Sequence, residues 1–227
     1  MIRRVKMKLS ENTVSVLKNF SNINQNILVK EGNTLHTMST MKNIIGQASI
    51  DETFDCQFGV YDLNEFLGVM SLSKDAELIF EESFVKVKNG RSTVKYFYSD
   101  PSILVTIPDG FSPPETDCTF RITQQVLTDV TKACSILQLP DVVLRNDNDG
   151  ATAVMVATDL KNSTSHEYKV ELDPIDFDAN FHFKIDNLKM IPGDYHMHVV
   201  SDKNVSHWVH DNGVIEYWIA LEATSGE

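Results

Sequence analysis

No run of about 18 consecutive apolar residues occurs in the 227-residue chain, so no segment is expected to cross a membrane as a helix. Cysteine is scarce: Cys56, Cys118 and Cys134 lie far apart and form no C-x-x-C pair. That spacing argues against a disulfide framework and structural zinc, and fits reduced thiols in a cytosol. The basic start Met1-Ile2-Arg3-Arg4-Val5-Lys6 leads into no apolar run and no small-residue cleavage site, so it is not a secretory signal. The protein is therefore expected to stay inside the cell. Catalytic signatures are missing too: there is no G-x-S-x-G, G-x-x-x-x-G-K-[ST], H-E-x-x-H or G-x-G-x-x-G, so neither enzymatic activity nor a cofactor is expected. Positive charge is the last shortage. Twenty basic residues against 32 acidic ones leave a net charge of −12, the wrong sign for gripping nucleic acid over the whole surface. Any contact with DNA must be local.

The length suits two domains of roughly 100 residues, each able to bury its own core. With 42% apolar and 23% charged residues, the composition is that of an ordinary globular protein. Most of the chain alternates with strand period, interrupted by four helical patterns, which predicts an α+β fold. Ser10 is an N-cap candidate for the first helix, with Glu11 in its first turn. Val14, Val16, Leu17, Phe20 and Ile23 fall on one face of it, and Glu11, Ser15, Lys18 and Asn22 on the other. The third helix repeats the design: Val126, Leu127, Val130, Ala133, Cys134 and Leu137 form its stripe, opposite Gln125, Thr128 and Lys132, and Pro140 lies beyond its end. Cys134 is thereby expected in the core rather than as a nucleophile.

Two shorter helices are expected at Tyr61–Leu67 and Ile185–Met190, each after a strand-like run, Phe54 to Val60 and Phe177 to Phe183. The motif Phe54-Asp55-x-x-Phe58 recurs as Phe177-Asp178-x-x-Phe181, an internal repeat about half the chain apart that suggests two domains of one plan. Between the halves, Asp100 to Glu115 holds four of the seven prolines and reads as a connector. It is unusually apolar for a linker, with Ile103, Leu104, Val105, Ile107 and Phe111, which must pack on a domain or await a partner. The division predicted is an N-terminal extension 1–6, a domain 7–100, a connector 101–116 and a domain 117–227.

The histidines support a different reading. His196-Met197-His198 places two imidazoles on one face of a strand, with His207, His210 and Glu216 following, and a metal-dependent β-barrel enzyme could draw ligands from such a set. In the alternative, Tyr195, Met197 and Val199 face the core and the histidines face solvent. A virion structural protein would share the acidic, motif-poor composition, although repeated amphipathic helices with opposed lysines argue against it.

Several stretches, in order, carry a family resemblance: Met7-Lys8-Leu9-Ser10 through Leu17-Lys18-Asn19-Phe20, then Tyr61-Asp62-Leu63-Asn64-x-Phe66-Leu67-Gly68 with Ser71-Leu72. Arg91-Ser92-Thr93, Asp100-Pro101-Ser102, Leu188-Lys189-Met190-x-Pro192-Gly193-x-Tyr195 and Ala220-Leu221-Glu222-Ala223 continue it. Together they resemble the sliding clamp of T-even-type tailed phages, a DNA polymerase processivity factor. The resemblance implies a homotrimeric ring of two-domain subunits, outer β-sheets with inner helices, around double-stranded DNA in the cytoplasm of an infected bacterium. It implies a replicative DNA polymerase and an ATP-dependent clamp loader as partners, and a role in viral late transcription. Lys18, Lys132 and Lys189 become the expected DNA contacts, touching phosphates without reading bases. Ile103, Leu104, Val105, Ile107, Phe111 and Leu221 become the expected pocket for the apolar tails of client proteins.

Overall fold

The computed structural model describes residues 6–72, 75–107, 118–147, 150–175, 177–200 and 203–223. The chain divides into two compact units, Met1–Phe111 and Ser112–Glu227, and the division falls within the segment read as connector.

The first unit opens with a short strand, β1 (Lys6–Met7), and the helix α1 (Glu11–Ile23). Ser10 caps α1 as its sequence predicts: its backbone is extended and its Oγ accepts the Thr13 N–H at 3.1 Å. The strands β2 (Ile27–Val29), β3 (Gly32–Met38), β4 (Ile44–Phe54) and β5 (Phe58–Val60) follow. Glu52, near the end of β4, accepts both the Ser10 N–H and the Thr13 hydroxyl, so a distant carboxylate steadies the positive end of the helix. The buried face of α1 is Thr13, Val16, Leu17, Phe20 and Ile23. Phe20 lies so close to β4 that a Cβ at Gly46 would stand 3.0 Å from its ring, which explains a glycine within a strand.

Helix α2 (Leu63–Ser71) starts at Asp62, whose carboxylate accepts the Glu65 N–H at 3.0 Å, and buries Leu63, Phe66 and Leu67 beside α1. Burying each of these side chains stabilises the fold by about 1.5–3 kcal/mol before the entropy of ordering is counted. The strands β6 (Glu77–Phe80), β7 (Phe84–Asn89) and β8 (Ser92–Phe97) complete an antiparallel sheet of order β1-β6-β7-β8, while β2 pairs with β5 and β3 with β4.

The second unit begins with β9 (Cys118–Ile122) and α3 (Gln124–Leu137). Thr123 caps α3 through a 3.4 Å bond from Val126 N–H, and Asp194 accepts the Gln124 N–H at 2.8 Å. The helix stops at Gln138, whose φ of 54° is left-handed, with Pro140 two residues on. Val130, Ala133 and Cys134 are buried as expected, but Val126 and Leu127 are only half-buried and Leu137 is 38% exposed, so the apolar stripe narrows at both ends.

Two sheets follow. The strands β10 (Asp141–Asn146), β11 (Thr152–Thr158), β12 (Tyr168–Pro174) and β13 (Asn180–Lys184) pair in the order β12-β11-β10-β13. The strands β14 (Tyr195–Val200), β15 (Val205–His210) and β16 (Ile215–Ala220) pair in sequence, and β14 also takes β9 on its other side. All these pairings are antiparallel.

The repeated Phe-Asp-x-x-Phe motif has one role in both units. Phe54 and Phe58 close on Phe80 at centroid distances of 5.8 and 5.1 Å, and Phe177 and Phe181 close on Phe120 at 5.1 and 6.0 Å. The strand-like runs around it are shorter than predicted, because β4 ends at Phe54, β5 starts at Phe58, and β13 starts only at Asn180.

The fourth expected helix does not form. Ile185–Asn187 makes a single 3-10 turn, and Leu188 leaves helical geometry at φ −83°, ψ 52°. Lys184 offers no capping bond, Asp186 and Asn187 are poor residues for a helix interior, and Pro192 lacks an N–H. Just past the expected helix, the Tyr217 hydroxyl accepts the Ile191 N–H at 3.1 Å and the Tyr195 hydroxyl donates to the Ile191 carbonyl, so side chains of the sheet hold the backbone there in a non-helical course.

Candidate nucleic-acid interface

Lys18 projects from the solvent face of α1, opposite Thr13, Val16, Leu17 and Phe20. Lys132 takes the matching place on α3, opposite Val130, Ala133 and Cys134. In both units, burying an apolar stripe forces the lysine outward, which is what a flexible phosphate contact requires. Helix α2 exposes Asn64, Glu65 and Ser71 and contributes no cation.

Where the fourth helix was expected, a groove of about 300 Å³ opens between α3 and residues 188–193. Gln124, Thr128, Thr131 and Lys132 supply its polar wall; Leu188, Met190 and Pro192 supply much of its apolar one. Lys132 lines this groove; Lys189 is exposed and lies in sequence between two lining residues without lining the groove itself, and the first unit offers Lys18. Sequence reasoning missed this groove because it filled the space with a helix; Pro192-Gly193 was the available signal. Gly193 itself is required by packing, since a Cβ there would collide with the His210 ring.

The expected client-pocket residues fall in both units. In the first, Pro101–Ile103 forms a 3-10 turn started by Asp100, whose carboxylate accepts the Ser102 N–H at 2.9 Å; that bond holds its pKa below the usual carboxylate value. Leu104 is buried against Gly59, within the unit's own core. Val105 and Ile107 are half-buried, the Val105 N–H donates to Asn26 Oδ1 at 3.0 Å, and Ile103 is 58% exposed. Phe111 lies outside the described residues. In the second unit, Leu221 is half-buried and its N–H donates to the Asn204 carbonyl at 2.8 Å.

The histidine strand takes the solvent-facing arrangement. Tyr195, Met197 and Val199 are fully buried, while His196 and His198 face outward. Each imidazole has its own neighbour: His196 stands 3.5 Å from Asp211, His198 bonds the Thr119 hydroxyl at 2.8 Å, and His207 bonds Glu216 at 2.8 Å while stacking on Trp218. Among the described residues, no three His, Cys, Asp or Glu side chains converge on a point where a metal could sit. Burial, reinforced by His207 and His196, pushes the His198 pKa down. Burial, with Asp141 nearby, pushes the Cys134 thiol up to about 11, which removes thiolate character at neutral pH.

Known families match along nearly the whole chain. The DNA polymerase processivity factor family matches residues 8–106, and the C-terminal domain of the gp45 sliding clamp matches residues 119–223. The chain belongs to the phage sliding-clamp family. It is 31% identical to the sliding clamp of Vibrio phage KVP40 over 223 residues, covering 96% of this chain and 100% of that protein. To the sliding clamp of Escherichia phage RB69 it is 30% identical over 227 residues, covering 96% and 98%. Its function is that of a sliding clamp, a processivity factor for DNA polymerase. Solved structures show the same fold at low identity. A. fulgidus PCNA bound to the C-terminal region of FEN-1 has a TM-score of 0.71 at 17% identity, covering 99% of this clamp and 100% of that chain. The Helicobacter pylori β clamp bound to a DNA ligase peptide has a TM-score of 0.73 at 12% identity, covering 98% of this clamp and 67% of that chain.

Proposed function

We propose that three copies of this clamp close into a ring around double-stranded DNA, hold a replicative DNA polymerase to its template and catalyse nothing themselves. What carries this reading is the lysine opposite the buried stripe on each long helix, in a protein whose net charge is −12. Cations confined to the helix faces attract phosphates locally, while the acidic remainder repels stray duplex. Contacts made to phosphates alone carry no sequence information, and so they permit sliding.

Lys18, Lys132 and Lys189 are the DNA contacts in this reading. Ring opening falls to a separate ATP-dependent loader, because the chain has no phosphate-binding loop of the P-loop type. Ile103, Leu104, Val105, Ile107, Phe111 and Leu221 are the client-tail contacts in this reading. The site of action is the cytoplasm of the infected bacterium, where the loaded ring also supports viral late transcription. Among the described residues, no helix is long and apolar enough to cross a membrane.

Native mass measured by light scattering tests the ring: the expected value is near three times 25.6 kDa, falling on dilution. A monomer at every concentration would remove the topological mechanism. For the DNA contacts, each lysine changed to Ala should weaken binding to closed circular duplex equally for all sequences. It should also flatten the salt dependence by roughly one unit of slope for every phosphate that the variant leaves unneutralised. An unchanged slope for all three variants would move the DNA-binding face elsewhere. For the pocket, Ile103→Asp should abolish capture of the polymerase in a pull-down.

A further inference from the structure

The first unit fills the space beside its long helix, and the second leaves it open. Helix α2 packs against α1 through Leu63, Phe66 and Leu67, whereas beyond the single 3-10 turn at Ile185–Asn187 the chain borders a groove along α3.

The two walls of that groove differ in chemistry. Gln124, Thr128 and Thr131 are spaced four and three residues apart, so they share one face of α3 and line one side with amide and hydroxyl groups. Residues of the 188–193 segment form the other side, where Leu188 and Met190 are only half-buried and Pro192 is exposed. Apolar surface left open to water in this way is stabilised by whatever covers it.

Charge is distributed as unevenly as polarity. Among the described residues that line the groove, Lys132 is the one charged side chain and none is a carboxylate, in a chain with 32 acidic residues and a net charge of −12. The groove therefore favours an anion that also carries an apolar face and a hydrogen-bonding edge.

Those three features meet in a nucleotide, whose base has apolar faces and an edge of donors and acceptors and whose phosphate is the anion. The Met190 thioether and the Pro192 ring suit the face of any base. Size agrees, since about 300 Å³ accepts one such unit and not a duplex. Lys132 lies one helical turn beyond Thr128, about 6 Å along the axis, so a base edge at Thr128 leaves its phosphate within reach of the ammonium group. An apolar peptide side chain would cover Leu188 and Met190 but would strip water from Gln124, Thr128 and Thr131 without replacing it.

Given Lys132 as a DNA contact, we infer that the groove takes one unpaired nucleotide of a DNA strand, its base between the two walls and its phosphate on Lys132. In intact duplex the bases are stacked and paired, and drawing one out costs free energy, so duplex meets α3 through phosphates alone and slides. Where a strand is single, its bases enter without that cost. The clamp thereby holds more tightly where duplex gives way to single strand, and it does so for every base, because contact with a ring face does not read sequence.

The test uses the full chain and fluorescence anisotropy at low salt, with labelled oligothymidine of about 12 nucleotides, an abasic strand of equal length and a duplex of equal length. Oligothymidine should bind about fivefold more tightly than the abasic strand, whose phosphates are intact. Met190→Ala should remove that difference and leave duplex binding unchanged. Thr128→Leu, which takes a hydroxyl from the opposite wall, should act in the same direction, and matched far-ultraviolet circular dichroism confirms the fold of both variants. Equal binding of the two single strands, or a preference for bases that survives both changes, would overturn the site and leave Lys132 as a phosphate contact. So would a Met190→Ala variant that keeps the preference but loses capture of the polymerase, which would give the groove to a client tail. If Lys132→Ala weakened binding of none of the three probes, the reading of Lys132 as a DNA contact would itself fall, and this site with it.

Discussion

Both units start their long helix in one way, with a hydroxyl N-cap and a carboxylate brought from elsewhere: Ser10 with Glu52 in the first, Thr123 with Asp194 in the second. They part at the second helix. The first unit packs α2 beside α1 through Leu63, Phe66 and Leu67, while the second reaches only one 3-10 turn and leaves a groove lined by Lys132. A repeated plan thus tolerates the loss of a helix, with side chains of the sheet holding the backbone just beyond it at Ile191. Where a helix is missing, the surface gains a concavity.

That contrast should show most strongly in stability. Phe66, buried in α2 and in edge contact with Tyr96, should cost about 3–5 kcal/mol on change to Ala, whereas half-buried Leu188 should cost only about 1 kcal/mol. Equal losses in urea unfolding would mean that the turn contributes as much as the helix. Next in size is Asp141→Ala, which strips a buried carboxylate from Lys184 and from the Leu160 N–H. Lys184 is partly open to solvent, so the loss should be about 2 kcal/mol, below that of a fully buried pair.

A smaller effect would sharpen the likeness between the helix starts. Ser10→Ala and Thr123→Ala should each cost about 1 kcal/mol, with Ser10 the larger because its bond is 3.1 Å rather than 3.4 Å. The smallest effect concerns acid. His198 and His182 both have pKa values lowered chiefly by burial, and both belong to the second unit. The unfolded chain takes up protons first as pH falls below about 6.5, so the stability these groups contribute above that pH is lost on acidification through their folded values. Thermal unfolding between pH 8 and pH 5 should show this decline, and His198→Gln should flatten it.

The long helices were legible because their apolar residues recur with helical period and their caps adjoin them in sequence, so Lys18 and Lys132 could be assigned to solvent faces in advance. The histidine strand was legible only as two alternatives. Burial of Tyr195, Met197 and Val199 chose between them, and the separate bonds of His196, His198 and His207 scattered the ligands a metal would need. Leu104 and Ile103 show the same limit at closer range. Neighbouring apolar residues of one connector look alike in sequence, yet one fills the space above Gly59 and the other is exposed.

The course of the chain just past residues 185–190 was out of reach, since hydroxyls of Tyr195 and Tyr217 that no local pattern connects to Ile191 hold its backbone. Only strand order revealed that β8 and β12 end their sheets among the described residues. By itself, then, the sequence determined what is periodic or adjacent: the amphipathic faces, the capping residues and the overall acidity. Tertiary structure decided which backbone groups were taken by distant side chains and which strands pair, because those outcomes depend on competition between groups far apart in the chain.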